Sequence, residues 1–356
     1  MKASDERFMD YALRLGRRAL GTTAENPPVG CVIVKDGDIV SVGWTHAGGR
    51  PHAETQALAM AGEETRDATA YVTLEPCAHH GKTPPCANAL IQSGVARVVT
   101  ALEDPDPRTR GKGFAILRAA GIAVETGIGA EEARRDIAGF LTRVTRGRPY
   151  VTLKLALSAD GKIAAAPGKR IAITGPEVRD RVHLMRAQSD AILVGVETVR
   201  ADNPELTCRL PGLESRSPIR VVLDSSLTVP RDAKLIRSAA STPVWVLSAS
   251  PGTIASGVTV IACAAAADGK VDLADALRHL AGRGINRLLV EGGARIARAF
   301  LEAGLVDHLV LFTSPDTIGG QGVDAFAGLP LAKVLAGFRK YGEERLGADT
   351  LSLYEP

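Results

Sequence analysis

Aromatic side chains are scarce: two Trp, five Tyr and seven Phe make up 4% of 356 residues. So few rings argue against a stacking platform for single-stranded nucleic acid. An excess of charge is also missing, because 43 Lys and Arg stand against 40 Asp and Glu and leave a net charge of +3. That balance gives no basic track for a nucleic-acid backbone. No uncharged apolar run approaches the roughly 18–20 residues needed to cross a bilayer. The N-terminal stretch MKASDERFMDYALRLGRRAL carries charge throughout and lacks a secretory apolar core. These absences predict a cytoplasmic protein with neither a membrane nor a nucleic-acid partner. The five cysteines are an odd number spread along a long chain. They fit reduced thiols better than a disulfide framework, and so pose the question of metal or catalytic roles.

What remains is the composition of an ordinary globular protein, 45% hydrophobic and 23% charged. The length predicts two domains. Phe8, Tyr11, Ala12, Leu15 and Ala19 recur at helical spacing and predict an amphipathic opening helix. Val29 to Val34 and Ile39 to Val42 flank Lys35-Asp36-Gly37-Asp38, which predicts a hairpin. Helical and strand patterns then alternate, including a helix over Glu131 to Val144. This alternation predicts an α/β layered domain. Arg146-Gly147-Arg148-Pro149 punctuates the pattern and sets the expected domains at 1–146 and 147–356. The second half restarts with a strand at Tyr150 to Leu157. A helix from Pro176 to Ala187 follows, then strands at Ala191 to Val194, Ile219 to Leu223, Val244 to Leu247, Val258 to Ile261, Arg287 to Val290 and Val306 to Thr313. Helices are expected at Asp272 to Ala281 and Ala294 to Ala303, completing a second α/β sheet.

The densest chemistry lies in His52-Ala53-Glu54, Glu75-Pro76-Cys77 and Cys86. One imidazole and two thiolates suit a single Zn²⁺ and leave a tetrahedral position open, as a catalytic zinc requires. Glu54, two residues beyond His52 at a helix start, is placed to shuttle protons without ligating the metal. A structural site would recruit a fourth protein ligand, for which His79 and His80 are the candidates. Cys31, Cys208 and Cys263 read as small buried hydrophobes.

His-x-Glu followed by Pro-Cys and a second Cys resembles the zinc nucleobase deaminases. Here eight residues separate the two cysteines instead of two, so the insertion must loop out and return Cys86 to the metal. With that insertion, Thr73 to Cys86 resembles the zinc segment of the bifunctional deaminase/reductases of riboflavin biosynthesis. Asn26-Pro27-Pro28-Val29-Gly30, Ser158-Ala159-Asp160-Gly161-Lys162, Ala201 to Thr207 and Glu291-Gly292-Gly293-Ala294 extend the resemblance in order over nearly the whole chain. It implies an N-terminal cytidine-deaminase-like α/β/α domain and a C-terminal dihydrofolate-reductase-like α/β domain. It further implies hydrolysis of the 2-amino group of 2,5-diamino-6-ribosylamino-4(3H)-pyrimidinone 5′-phosphate, then NADPH-dependent reduction of the ribosyl group to ribityl. A zinc deaminase of another base with a non-catalytic C-terminal domain is the alternative.

By the same resemblance, Asn26 and Lys82 contact the deaminase substrate, with His46 a weaker candidate. Ala156, Thr198, Asp202, Ser225 and the run Gly293, Ala294, Arg295, Ile296, Ala297, Arg298, Ala299 fall on the cofactor side. Arg186, Leu206, Arg209 and Glu291 fall on the reductase substrate side, the two arginines suiting a phosphate. No G-x-G-x-x-G follows a strand in this half, so a standard dinucleotide fingerprint is unsupported. Lys154, Asp202 and Glu291 all stand as reductase proton donors. One stretch departs from the family, where a Ser and a Trp commonly precede Ile-Thr: Arg170 and Ala172 occupy those positions. Arg108, Arg110 and Lys112 read as a solvated basic loop. A homo-oligomer acting on a small pyrimidine ribose phosphate is expected.

Overall fold

The computed structural model describes residues 2–81, 84–166 and 171–356, so Lys82 and Arg170 lie outside the described residues. The chain divides into two compact units, Met1–Gly147 and Arg148–Pro356.

The first unit is built on a five-stranded sheet. Its elements in chain order are α1 (Lys2–Arg17), β1 (Gly30–Lys35), β2 (Asp38–Trp44), α2 (Ala53–Ala61), β3 (Thr69–Val72), α3 (Cys86–Gln92), β4 (Arg97–Thr100), α4 (Lys112–Ala119), β5 (Ala123–Thr126), α5 (Ala130–Asp136) and α6 (Ala138–Arg146). The strand order is β2-β1-β3-β4-β5. β1 runs antiparallel to β2 and β3, and β3, β4 and β5 are mutually parallel. The β1–β2 hairpin turns at Asp36 and Gly37, with φ of 52° and 91°. Positive φ at both central residues matches the right-handed twist of the strands, which is why an Asp-Gly pair sits there.

Two expectations change here. The buried stripe of α1 runs through Phe8, Met9, Ala12, Leu13 and Leu15, whereas Tyr11 is 40% exposed. The apolar face is rotated toward Met9 and Leu13, because the helix lies flat on the sheet and buries a stripe wider than one i, i+3, i+4 row. The helix expected over Glu131 to Val144 is two helices broken at Ile137 (φ −99°, ψ 14°). The bend lets Ala133, Ile137 and Phe140 all reach one core.

The second unit holds β6 (Tyr150–Leu157), β7 (Lys162–Ala164), α7 (Pro176–Ala187), β8 (Ala191–Gly195), α8 (Val196–Asp202), β9 (Ile219–Leu223), α9 (Lys234–Arg237), β10 (Val244–Ser248), β11 (Val258–Ala262), α10 (Leu273–Ala281), β12 (Arg287–Val290), α11 (Ala294–Glu302), β13 (His308–Thr313), β14 (Val323–Asp324), α12 (Leu331–Leu335), β15 (Arg339–Leu346) and β16 (Asp349–Glu355). Nine of these strands form one sheet in the order β11-β10-β9-β8-β12-β6-β13-β16-β15. The strands from β11 to β13 are parallel, and β16 and β15 close the edge antiparallel. Both faces are covered. Leu153, Leu193 and Leu288 face one cluster, while Ile192, Val194 and Leu289 face another. β6 alternates strictly, with Val151, Leu153, Leu155 and Leu157 buried, which puts Lys154 and Ala156 together on the opposite face.

Candidate functional site

In the first unit, two helix starts and one loop converge. His52 is the residue before α2, in extended conformation, and Glu54 lies in the first turn of that helix. Cys86 is the first residue of α3. Cys77 lies in the loop after β3, and its sulfur accepts the Cys86 N–H at 3.3 Å. Helix N-termini favour negative charge, so the Cys77 sulfur, which accepts the first N–H of α3, is favoured as a thiolate. His52 Nδ1 lies 3.3 Å from Cys86 Sγ and 3.8 Å from Cys77 Sγ. The three potential ligand atoms all lie within 4.8 Å of one another, and neither His79 nor His80 joins them among the described residues. His79 Nδ1 is instead 3.2 Å from Thr109 Oγ1.

These residues fit zinc. With Zn–S near 2.3 Å and Zn–N near 2.05 Å, the N–S edge of a tetrahedron is about 3.6 Å, which the two observed separations bracket. His52 Nε2 is buried with no hydrogen-bond partner among the described residues, and Nδ1 is the nitrogen turned to the sulfurs. Cys77 is pulled down to about 4, first by the Cys86 thiol that hydrogen-bonds to it and then by His52. The Cys86 thiol is pushed up by that same bond and by burial. The Cys77 bond also pushes His52 up. Glu54 is only 4% exposed, and burial pushes its carboxyl up. Replacing Cys86 by Ser should cost more zinc affinity than the ~10–100-fold typical of losing an outer partner of a ligand. Metal analysis after dialysis checks this, and unchanged stoichiometry would remove Cys86 from the ligand set.

Glu75 has a role its place in the motif did not disclose. Its buried carboxylate accepts backbone N–H bonds from Asp104 (3.2 Å), Gly111 (3.0 Å) and Phe114 (3.3 Å). It thereby fastens the loop before α4 behind Cys77. Asn26 sits in a turn closed by its own N–H bond to the Thr23 carbonyl. The basic loop residues are engaged locally: Arg108 with Asp106, Arg110 with Glu103 and Lys112 with the Pro107 carbonyl.

In the second unit, the carboxyl ends of the adjacent parallel strands β8 and β12 open into α8 and α11. Ligands of parallel α/β sheets bind outside such ends. A Cβ on Gly292 would lie 2.5 Å from Ile296 Cβ, so only glycine allows the turn from strand to helix. A Cβ on Gly293 would lie 3.8 Å from Thr198 Oγ1, which places these two cofactor candidates face to face. The free N–H groups of α11 belong to its first turn. Ala297 N–H is already bonded to Gly293 O, its methyl is in the core, and Arg298 pairs with Glu302. Gly293, Ala294, Arg295 and Ile296 carry the N–H groups that have no acceptor within the helix. Ser225 Oγ accepts the Val271 N–H at 3.0 Å, and Asp202 is exposed at the end of α8.

A charged cluster faces this edge. Arg186 Nε and Nη2 bond both oxygens of Glu291 at 2.8 and 3.0 Å, and Nη1 donates to the Thr207 carbonyl at 3.1 Å. Lys154 Nζ is 3.9 Å from Glu291 Oε2. Burial works to raise the Glu291 carboxyl, but Arg186 and Lys154 more than offset it and hold it below its ordinary value. Arg209 is exposed and pairs with Glu205 at 3.0 Å, while its backbone N–H donates to His183 Nδ1 at 3.2 Å. That supporting histidine carried no signal in the sequence. Leu206 adopts φ of 57° with its side chain in the core, so backbone atoms are what it can offer a ligand.

Residues 2–102 match the cytidine and deoxycytidylate deaminase zinc-binding region, and residues 149–351 match the RibD C-terminal domain. The riboflavin biosynthesis protein RibD of Escherichia coli is 44% identical over 329 residues, covering 89% of each chain. The chain belongs to the RibD family. The Aquifex aeolicus RibD is 40% identical, over 99% of this chain and 98% of that one. The solved structure of Acinetobacter baumannii RibD superposes with a TM-score of 0.90 at 37% identity, covering 100% of this chain and 99% of the other. A Thermotoga maritima structure described as a diaminohydroxyphosphoribosylaminopyrimidine deaminase/5-amino-6-(5-phosphoribosylamino)uracil reductase gives the same values. As a RibD-family member, the chain is a bifunctional enzyme of riboflavin biosynthesis, with a cytidine-deaminase-like domain followed by a dihydrofolate-reductase-like one. No described helix is long and apolar enough to cross a membrane.

Proposed function

We propose that residues 1–146 deaminate 2,5-diamino-6-ribosylamino-4(3H)-pyrimidinone 5′-phosphate, and that residues 147–356 reduce the ribosyl group of the product to ribityl with NADPH. The observation that carries the first step is the convergence of His52, Cys77 and Cys86 within 4.8 Å beside the buried Glu54. A zinc ion held by these three supplies Lewis acidity, making water a competent nucleophile near pH 7. Glu54 passes one proton of the attacking water to the ring nitrogen and then passes the proton of the added hydroxyl to the departing amine. Water adds, ammonia leaves, and the carboxylate ends as it began. Asn26 and Lys82 are the substrate contacts, the second reaching the phosphate.

For the second step, the nicotinamide cofactor supplies a hydride to the anomeric carbon of the opened sugar. Gly293 to Ile296, Thr198, Asp202, Ser225 and Ala156 hold it, with the diphosphate at the start of α11. Arg209 meets the substrate phosphate through its exposed guanidinium, and the Leu206 backbone and the Arg186–Glu291 pair shape the ribose side. Among the three proton donors, Lys154 is supported by its surroundings. Glu291 is held ionised by two cations, and Asp202 lies exposed on α8. Lys154 shares the face of β6 with Ala156. The enzyme acts in the cytoplasm as a homo-oligomer on small molecules alone.

Single-turnover assays with the diaminopyrimidine phosphate test the pair of reactions. Ammonia release should need no nicotinamide, and NADPH oxidation should follow it, with NADH a poor replacement. Ammonia release with no oxidation of either nucleotide would leave a deaminase carrying a non-catalytic second domain.

A further inference from the structure

One other group of metal-capable donors converges among the described residues: Cys263, Asp275 and His279, with ligand atoms all within 4.8 Å. Two regular elements present it. Cys263 directly follows β11, and its N–H donates to the Ser248 carbonyl of β10 at 2.8 Å. Asp275 and His279 stand one turn apart on α10, where i, i+4 side chains share a face. That helix is capped by Asp272, which accepts the Asp275 N–H at 2.8 Å. Asp275 Oδ2 accepts the Ala264 N–H at 2.7 Å, so the residue after Cys263 is tied to the same carboxylate.

The geometry suits a small cation. His279 Nε2 lies 3.5 Å from Asp275 Oδ2, which is close to the ~3.3–3.6 Å ligand–ligand edge expected around zinc. A thiolate, an imidazole and a carboxylate together favour zinc-class metals over Mg²⁺ or Ca²⁺. The surrounding charge works against tight binding: Arg278 pairs with Asp275 Oδ1 at 2.9 Å, and Arg283 lies near Cys263. A helix-surface ion pair accounts for Asp275 and Arg278. An i, i+4 contact brings His279 to the other carboxylate oxygen, but helix pairing does not account for the Cys263 sulfur, 3.6 Å from the Ile261 carbonyl, lying within 4.8 Å of both donors.

We propose that Cys263, Asp275 and His279 form a second, weaker site for a zinc-class divalent cation that fastens the end of β11 to α10. Binding forms a metal–sulfur bond and releases the thiol proton to solvent. The fastened elements flank Ser225: Val271, just before α10, donates its N–H to Ser225 Oγ, and Ser248 Oγ donates to the Ser225 carbonyl at 3.1 Å. A cation here therefore braces the support of a proposed cofactor residue without touching cofactor or substrate.

The test starts from enzyme already holding its first zinc. It is dialysed against Zn²⁺ buffered over a range of free concentrations, and metal per chain is counted. A second equivalent should fill at higher free zinc than the first. Cys263→Ser and His279→Ala should each lose that equivalent, keep the first, and keep deamination. Co²⁺ supplied for the second step should add a thiolate charge-transfer band that Cys263→Ser lacks. His279 is exposed enough that its replacement leaves folding untouched, so the result does not hinge on the cysteine variant alone. A single equivalent across the range in the wild type, or a second that survives either substitution, overturns the site.

Discussion

Glu54→Gln should abolish ammonia release almost completely, by about 10²–10⁴-fold, while zinc content and the reduction of supplied intermediate stay at wild-type levels. The amide matches the carboxylate in size and sits in the same buried first turn of α2, so the packing around Ala53 and Ala57 is preserved. It lacks a basic oxygen, so it neither takes a proton from water nor returns one. Zinc is retained because Glu54 is not one of the three converging ligand residues. Reduction survives because the reductase candidates are carried by different elements, from β6 onward. Metal analysis, an ammonia assay and NADPH oxidation with the deaminated intermediate read the three expectations separately. Loss of both activities in a folded, zinc-loaded protein would show that the two reactions do not run at separate sites.

Parts of this architecture were legible in the sequence for identifiable reasons. The β1–β2 hairpin is written in an Asp-Gly pair between apolar runs, a signal that needs no tertiary partner. β6, β9 and β12 run over the ranges their patterns predict: Val221 to Leu223 and Leu288 to Val290 read as the continuous apolar stretches of a buried parallel sheet, and β6 alternates. The closing pair β15 and β16 gave no such signal. Arg339–Leu346 is a polar edge strand with no buried residue, and it is defined only by its pairing with β16. α8 is short and follows β8 without a linker, so no separate helical period marks it. The site divides in the same way. His52, Glu54, Cys77 and Cys86 each sit at or beside a helix start or in one loop, and their order along the chain hints that they meet. Arg186 and Glu291 meet across 105 residues, and the donors to Glu75 are backbone N–H groups. Composition and spacing record neither kind of contact.

In the reductase half, Lys154→Met should lower the rate of ribosyl reduction by about 10²–10⁴-fold and leave nicotinamide binding and deamination unchanged. Lys154 lies in the middle of β6, paired with Val310 of β13, and its side chain is only 14% exposed. Its ammonium is 5.7 Å from the Phe312 ring centre and 3.9 Å from Glu291. Methionine has a similar unbranched length and can still pack against the Phe312 ring, with nothing to donate. The choice of variant follows from charge balance. Glu291 carries one negative charge against the positive charges of Arg186 and Lys154, so removing Lys154 leaves a neutral, bidentate Arg186–Glu291 pair. Removing Glu291 would instead take the carboxylate from between two buried cations, at a cost of about 3–5 kcal/mol in stability, and would confuse folding with chemistry. A kcat for reduction that falls while the Kd for NADPH holds identifies Lys154 as the proton donor. Wild-type reduction by Lys154→Met would exclude that role. It would move the search to Asp202 at the end of α8.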